Sequence, residues 1–265
     1  MRRPPPRRLE HRAALAQRFA RHGGAHTLLP IATHEAPTHP RPPLACCCPG
    51  SLQYLHLSSC GLSALPEALF DCVNLHSLHI SGNRLHTLTP SIGKLKKLRV
   101  FGASLCGLTD APPTLFTGCV QLEVLNLGDN KMSTAFLSAR FTELIHLKVL
   151  RLPGCNLQHV PVYVYKLATL EALDLGGNPI GALSSSVAKL TALAQLSVSC
   201  CELVDLPDAI CECTQLTKLD ASRNAFTEVP LCIVELEHLV HLNLSNNAIS
   251  VLDEALFDLQ RLEVC

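Results

Sequence analysis

One spacing of leucines and polar residues recurs nine times between Leu52 and Leu259. Each unit reads L-x-x-L-x-L-x-x-[N/C]-x-L, and successive units begin 23 to 25 residues apart. They begin at Leu52, Leu75, Leu98, Leu122, Leu147, Leu170, Leu193, Leu216 and Leu239, and Leu262 opens a tenth. A period of this length indicates a solenoid, in which one coil cannot bury its own apolar face and is stabilised by its neighbours.

Within each unit, apolar and polar residues alternate over a few positions, which is the period of a strand buried on one side. In the ninth unit, for example, Leu242 and Leu244 are expected to point inward and His241 and Asn243 outward. Because all coils run in the same direction, the strands are parallel and about 4.8 Å apart. The second half of each unit, such as 65–70, returns as a short helix or 3₁₀ segment. The pattern therefore predicts an α/β solenoid.

The ninth position of each unit is predicted to fill a small buried site. It holds Cys60, Asn83, Cys106, Asn130, Cys155, Asn178, Cys201, Asn224 and Asn247. An Asn amide there can donate to and accept from backbone groups that strand pairing leaves unsatisfied. Cys fits the same space with weaker hydrogen bonding. Cysteines on alternate coils would be about 9 to 10 Å apart, too far for a disulfide, so we expect free thiols and a reducing, cytoplasmic compartment.

These motifs resemble the leucine-rich-repeat family over residues 51–265. The unit that ends Leu206-Pro207-Asp208-Ala209-Ile210 is similar to the intracellular Ras-group branch, which includes Scribble-type scaffolds and Roco-type kinases. The resemblance implies a horseshoe whose concave sheet binds proteins. Two units depart from the pattern and leave the local curvature over 100–145 open. One has Ala103 and Ala111 in place of leucine, and the next has Ala135-Phe136 in place of Leu-Pro.

The outward strand positions define a candidate protein-binding surface, here called the concave face. Its residues are Tyr54, His56, His79, Val100, Val124, Asn126, Val149, Arg151, Ala172, Asp174, Gln195, Lys218, Asp220, His241 and Asn243. Val100, Val124, Val149 and Ala172 are predicted to form an exposed apolar row, with Arg151 beside it. An apolar centre with a charged surround is typical of protein interfaces. The alternative is that valine is simply a good strand former.

The distribution of charge and the motifs of the sequence disfavour some classes of function. Residues 1–50 carry a net charge of +6 and the repeats carry −6, so a nucleic-acid partner is disfavoured. Lys94, Lys96, Lys97 and Arg99 form a small basic patch. No nucleophile elbow, phosphate loop or paired C-x-x-C occurs, which disfavours an enzyme and predicts no cofactor. His56 and His79 could share a metal, but no carboxylate or Cys completes a ligand set, so solvated histidines are favoured.

The first fifty residues do not join the repeats. They hold eight Arg and nine of the 18 prolines. A targeting helix near the N-terminus is one interpretation, and a disordered basic tail or a gene-model artefact is the favoured one. Cys46, Cys47 and Cys48 could carry lipid or metal but lack paired spacing. No run suits a signal peptide or a membrane span.

The sequence thus predicts a disordered tail at 1–50 and a repeat domain at 51–265. The expected function is a signalling scaffold, with a small GTPase, kinase or phosphatase subunit as candidate partner. The alternative is the recruiting domain of a larger enzyme, a Roco-type kinase or a ubiquitin ligase, of which this chain is a fragment. Because the tenth coil stops after four residues, we also expect self-association through an uncapped last coil.

Overall fold

The computed structural model describes residues 50–132, 138–252, Glu254, Leu256 and 259–263. The tail at 1–49, with its candidate targeting helix and Cys46 to Cys48, lies outside the described residues, as does Ala135-Phe136. No helix among the described residues is long and apolar enough to cross a membrane.

Nine short strands of the described chain form one parallel sheet in sequence order. They are β1 (Tyr54–His56), β2 (Ser77–His79), β3 (Val100–Gly102), β4 (Val124–Asn126), β5 (Val149–Arg151), β6 (Ala172–Asp174), β7 (Gln195–Ser197), β8 (Lys218–Asp220) and β9 (His241–Asn243). Equivalent positions of successive coils pair directly, as Val124 pairs with Val149. The predicted parallel solenoid is therefore confirmed.

The return segments close the other side of the core. They comprise helix α1 (Pro113–Gly118) and the 3₁₀ segments Glu67–Asp71, Pro90–Lys94, Ala139–Glu143, Val164–Lys166, Ser185–Lys189, Asp208–Glu212 and Leu231–Ile233. Between the two layers, the inward strand residues such as Leu125, Leu150 and Leu219 are fully buried. The alternation read from the sequence thus separates core from surface on these strands.

The unit at 98–121, which departs from the leucine pattern, keeps the sheet register, since Val100 pairs with both Ser77 and Val124. Its return segment is an α-helix rather than a 3₁₀ turn. Helix α1 packs closely on the preceding segment at a glycine pair, where a Cβ on Gly118 would lie 2.4 Å from the Cα of Gly93. Glycine is required there because any side chain would push the two segments apart.

Asparagines at the ninth position join neighbouring coils as predicted. The Asn178 Oδ1 accepts from the backbone N–H of Cys155 at 2.8 Å and of Leu157 at 3.0 Å. Its Nδ2 donates to the carbonyls of Leu152 at 2.8 Å and Leu175 at 2.7 Å. One amide therefore satisfies four backbone groups from two coils.

Cysteines fill the same site on alternate coils. Cys106, Cys155 and Cys201 are fully buried free thiols, and the Cys201 Sγ donates to the Leu175 carbonyl at 3.3 Å. Burial is the main cause that raises the pKa of Cys155 and Cys201 to about 11. Cys60 differs because it is exposed, as is Cys200, which the repeat places outside the ladder.

These thiols give a first testable prediction. At pH 8 an alkylating reagent should label Cys60 and Cys200 rapidly and leave Cys155 and Cys201 unlabelled, because buried thiols with a raised pKa form little thiolate. Peptide-resolved mass spectrometry measures each site. After unfolding without reductant, all four should label fully. A disulfide-linked peptide between any two ladder cysteines would contradict the geometry.

The core residues of the ninth coil are less buried than those of the inner coils. Leu242, Leu244 and Ile249 are only half-buried, and Leu252 is 55% exposed. The tenth coil begins in register, since the backbone N–H of Glu263 donates to the Val240 carbonyl at 2.8 Å. Self-association through the uncapped last coil remains a prediction.

Candidate protein-binding face

The alternation of the strands places the predicted residues on one face of the sheet. Tyr54, His56, Arg151, Gln195, Lys218, His241 and Asn243 are exposed, and His79, Val100, Val124, Asn126, Val149, Ala172, Asp174 and Asp220 are half-buried. None of them is enclosed in the core. The concave face is therefore one continuous accessible surface across β1 to β9.

The apolar row differs from the prediction in one respect. Val100, Val124, Val149 and Ala172 are half-buried rather than exposed. They pair in direct register on adjacent strands, at a spacing of about 4.8 Å, so their side chains cover one another. An additional apolar side chain could bury the surface of these four residues that remains accessible to solvent.

A row of alternating charges runs along one side of the apolar row, at the second position of the third to sixth coils. Arg99 pairs with Glu123 at 2.8 Å, and Lys148 pairs with Glu171 at 2.9 Å. The hydrogen bond from Lys148 to Glu171, followed by the charge of Glu171, raises the pKa of Lys148. Sequence reasoning missed this row, although charges of alternating sign at one repeat position could have revealed it.

Two residues of the predicted basic patch, Lys94 and Arg99, form ion pairs of the same kind. Lys94 lies 3.5 Å from Asp71, Lys97 donates to the Asn74 Oδ1, and Arg99 belongs to the ion pair with Glu123. The patch therefore offers less free positive charge than the sequence suggests.

Two charged side chains lie on the other side of the apolar row, beside Val149 and Ala172. Arg151 and Asp174 are register partners on β5 and β6. Asp174 is held in place because its Oδ1 accepts from the Gly176 backbone N–H at 3.1 Å. Asp220 is held in the same way by the N–H and hydroxyl of Ser222. These carboxylates are thus fixed in position before any partner binds.

A shallow depression lies in this part of the concave face, across β5 to β8. Its volume is about 210 Å³. It is lined by Val149, Leu150, Arg151, Ala172, Leu173, Asp174, Gln195, Leu196, Ser197, Lys218 and Asp220. Small side chains between larger charged ones produce the hollow. The structure therefore brings seven of the predicted site residues around one depression.

Two aromatic contacts occupy the N-terminal end of the face. The rings of His56 and His79 stack with centroids 5.1 Å apart, and those of Tyr54 and His76 stack at 6.5 Å. No group of three or more His, Cys, Asp or Glu that could hold a metal ion is present in the described part of the chain.

Comparison with known proteins agrees with this architecture. The profile described as "Leucine-rich repeat region" matches residues 101–222, and "Leucine Rich Repeat" matches 51–72, 74–95 and 238–259. A leucine-rich-repeat protein of Leptospira interrogans superposes with a TM-score of 0.64 at 25% identity, covering 81% of this chain and 66% of that one. The chain belongs to the leucine-rich-repeat family, whose domains generally act as scaffolds that bind other proteins.

Curated relatives match over part of their length. A Danio rerio protein named "Transforming growth factor beta activator LRRC33" is 30% identical over 118 residues, which is 40% of this chain and 17% of the relative. The adenylate cyclase of Schizosaccharomyces pombe is 30% identical over 118 residues, which is 44% of this chain and 7% of the relative. The chain thus spans less than a fifth of either protein.

Proposed function

We propose that this chain is a protein-binding scaffold in intracellular signalling and that its partner contacts the concave face. The observation that supports this most is the half-buried row Val100, Val124, Val149 and Ala172, with charged side chains along both sides. Protein interfaces combine an apolar centre with a polar rim in this way. The preference of valine for β-strands is another reason for valine to occur at these positions. The decisive experiment must therefore measure partner binding and stability separately.

The proposed class of partner is inferred from the resemblance of the repeats to the Ras-group branch. That resemblance favours a small GTPase, a kinase or a phosphatase subunit, in the cytoplasm. The free thiols of the described cysteines support a reducing compartment.

The second candidate is a recruiting domain within a larger enzyme. Its support is the match to the Schizosaccharomyces pombe adenylate cyclase, of which this chain covers 7%. A transcript that continues past Cys265 into catalytic sequence would favour this candidate, whereas a transcript that ends there would favour the independent scaffold.

Two substitutions test the concave face directly. Val124→Lys and Arg151→Glu should weaken partner binding roughly fivefold or more, because Val124 lies in the apolar centre of the proposed interface and Arg151 in its charged border. Stability should stay within about 0.5 kcal/mol for Arg151→Glu, because this side chain is exposed. Val124→Lys replaces a half-buried strand former and should cost no more than about 1 kcal/mol. Quantitative affinity capture from lysate measures the binding, and thermal melts measure the stability.

The matched control is Val162→Lys, in the return segment of the fifth coil, where the valine is 64% exposed. It makes the same chemical change on the other side of the solenoid and should leave capture unchanged. If Val124→Lys and Arg151→Glu retain every partner of the wild-type protein, recognition lies elsewhere.

A further inference from the structure

Two imidazole rings lie in contact at the N-terminal end of the concave face. His56 on β1 and His79 on β2 are register partners on adjacent parallel strands. Their ring centroids are 5.1 Å apart, and the ring planes differ by 29°. His56 is exposed and His79 is half-buried, so small ions in solution can reach both side chains.

Electrostatics favour the neutral form of His79. Burial, and secondarily the charge of a protonated His56, lower the pKa of His79. A neutral imidazole keeps a lone pair on one ring nitrogen, which is the form that binds metal ions.

The His79 ring lies close against the strand on its far side, β3. Gly102 on β3 is the next residue along this row, and a Cβ there would lie 3.0 Å from the His79 Nδ1. A larger residue would therefore press against the imidazole. The His79 imidazole must therefore tilt away from β3 before one of its nitrogens can face the same ion as a nitrogen of His56.

We propose that His56 and His79 together bind a divalent transition-metal ion of the Zn²⁺, Ni²⁺ or Cu²⁺ class. Imidazole nitrogens prefer these ions, whereas Mg²⁺ and Ca²⁺ prefer oxygen ligands. Bonds from zinc to nitrogen of about 2.0 to 2.1 Å require ring nitrogens roughly 3 to 3.5 Å apart in a tetrahedral site. With centroids 5.1 Å apart, the two rings can bring one nitrogen of each to that separation when they tilt toward each other. Water completes the coordination, so the ion exchanges readily.

The test uses Zn²⁺ alone as the probe and the full-length chain. Zn²⁺ is titrated against the ¹⁵N-labelled protein while the ring nitrogens of individual histidines are followed by NMR, which distinguishes this site from other histidines and thiols. The His56 and His79 signals should shift together at the same Zn²⁺ concentration, and Mg²⁺ should shift neither. The response should weaken as the pH falls, because protons compete for the same nitrogens.

The variant His79→Gln should lower the Zn²⁺ affinity seen at His56 by roughly tenfold or more, since even loss of an outer-shell partner costs that much. His159→Gln, which removes an exposed histidine outside the concave face, should leave the affinity unchanged. An unaltered His56 response in His79→Gln would overturn the proposal, as would wild-type signals that do not move together.

Discussion

Replacing Leu175 by alanine should destabilise the protein by about 2 to 5 kcal/mol, through the cavity left in a close-packed core. Leu175 has no exposed surface and lies directly after Asp174, which faces the opposite side of the sheet. Its inward direction follows from strand alternation, so the variant tests the assignment of core against surface. Chemical denaturation followed by circular dichroism measures the loss.

The control for this prediction is Gln195→Ala. Gln195 is exposed on β7 of the concave face, and its truncation should change stability by no more than about 0.5 kcal/mol. Equal effects of the two substitutions would mean that the two faces of the sheet are wrongly assigned.

Replacing Asn178 by alanine should cost at least about 1 to 3 kcal/mol, because buried backbone groups lose their hydrogen-bond partners. The backbone N–H groups of Cys155 and Leu157 would lose their acceptor, and the carbonyls of Leu152 and Leu175 would lose a donor. Asn178 is fully buried, so water reaches these groups only if the coils separate. The free energy of unfolding from urea titration gives the result.

The comparison variant is Cys201→Ala, at the same position one coil later. It removes a weak S–H donor to the Leu175 carbonyl, so its cost should be clearly smaller than that of Asn178→Ala. A Cys201→Ala variant as unstable as Asn178→Ala would show that the site depends on packing rather than on hydrogen bonding.

Much of the fold could be predicted because the repeat fixes the direction of each side chain. Once Leu242 is read as inward, its neighbours His241 and Asn243 must face outward, and the structure places them on the exposed side. The asparagine site was predictable for a similar reason. A turn that recurs in every coil leaves the same backbone groups unsatisfied each time.

Side chains that interact between coils were harder to predict. The ion pairs Arg99–Glu123 and Lys148–Glu171 depend on how far long side chains reach across the strand spacing. The spacing of the leucines does not predict these contacts. Cys60 matches the ladder in sequence but is exposed, because burial of this site depends on neighbouring coils. The pattern allowed either a short helix or a 3₁₀ segment in each return, and the contact of helix α1 with Gly93 arises only from packing.

The identity of the partner is not encoded in the repeat spacing. The residues around the depression, such as Arg151 and Asp220, set its charge and shape. They can be matched to a partner only when that partner is known, because shape and charge select a class of surface rather than one protein.

Site-specific photo-crosslinking tests the central claim most directly. A photoreactive phenylalanine is placed at Val124 on the concave face or at Val162 in the return segment, and cross-linked partners are quantified by mass spectrometry after irradiation in lysate. The proposed interface predicts that a partner whose capture is weakened by Arg151→Glu is cross-linked from position 124 and not from position 162. Cross-linking of that partner from position 162 alone would contradict it.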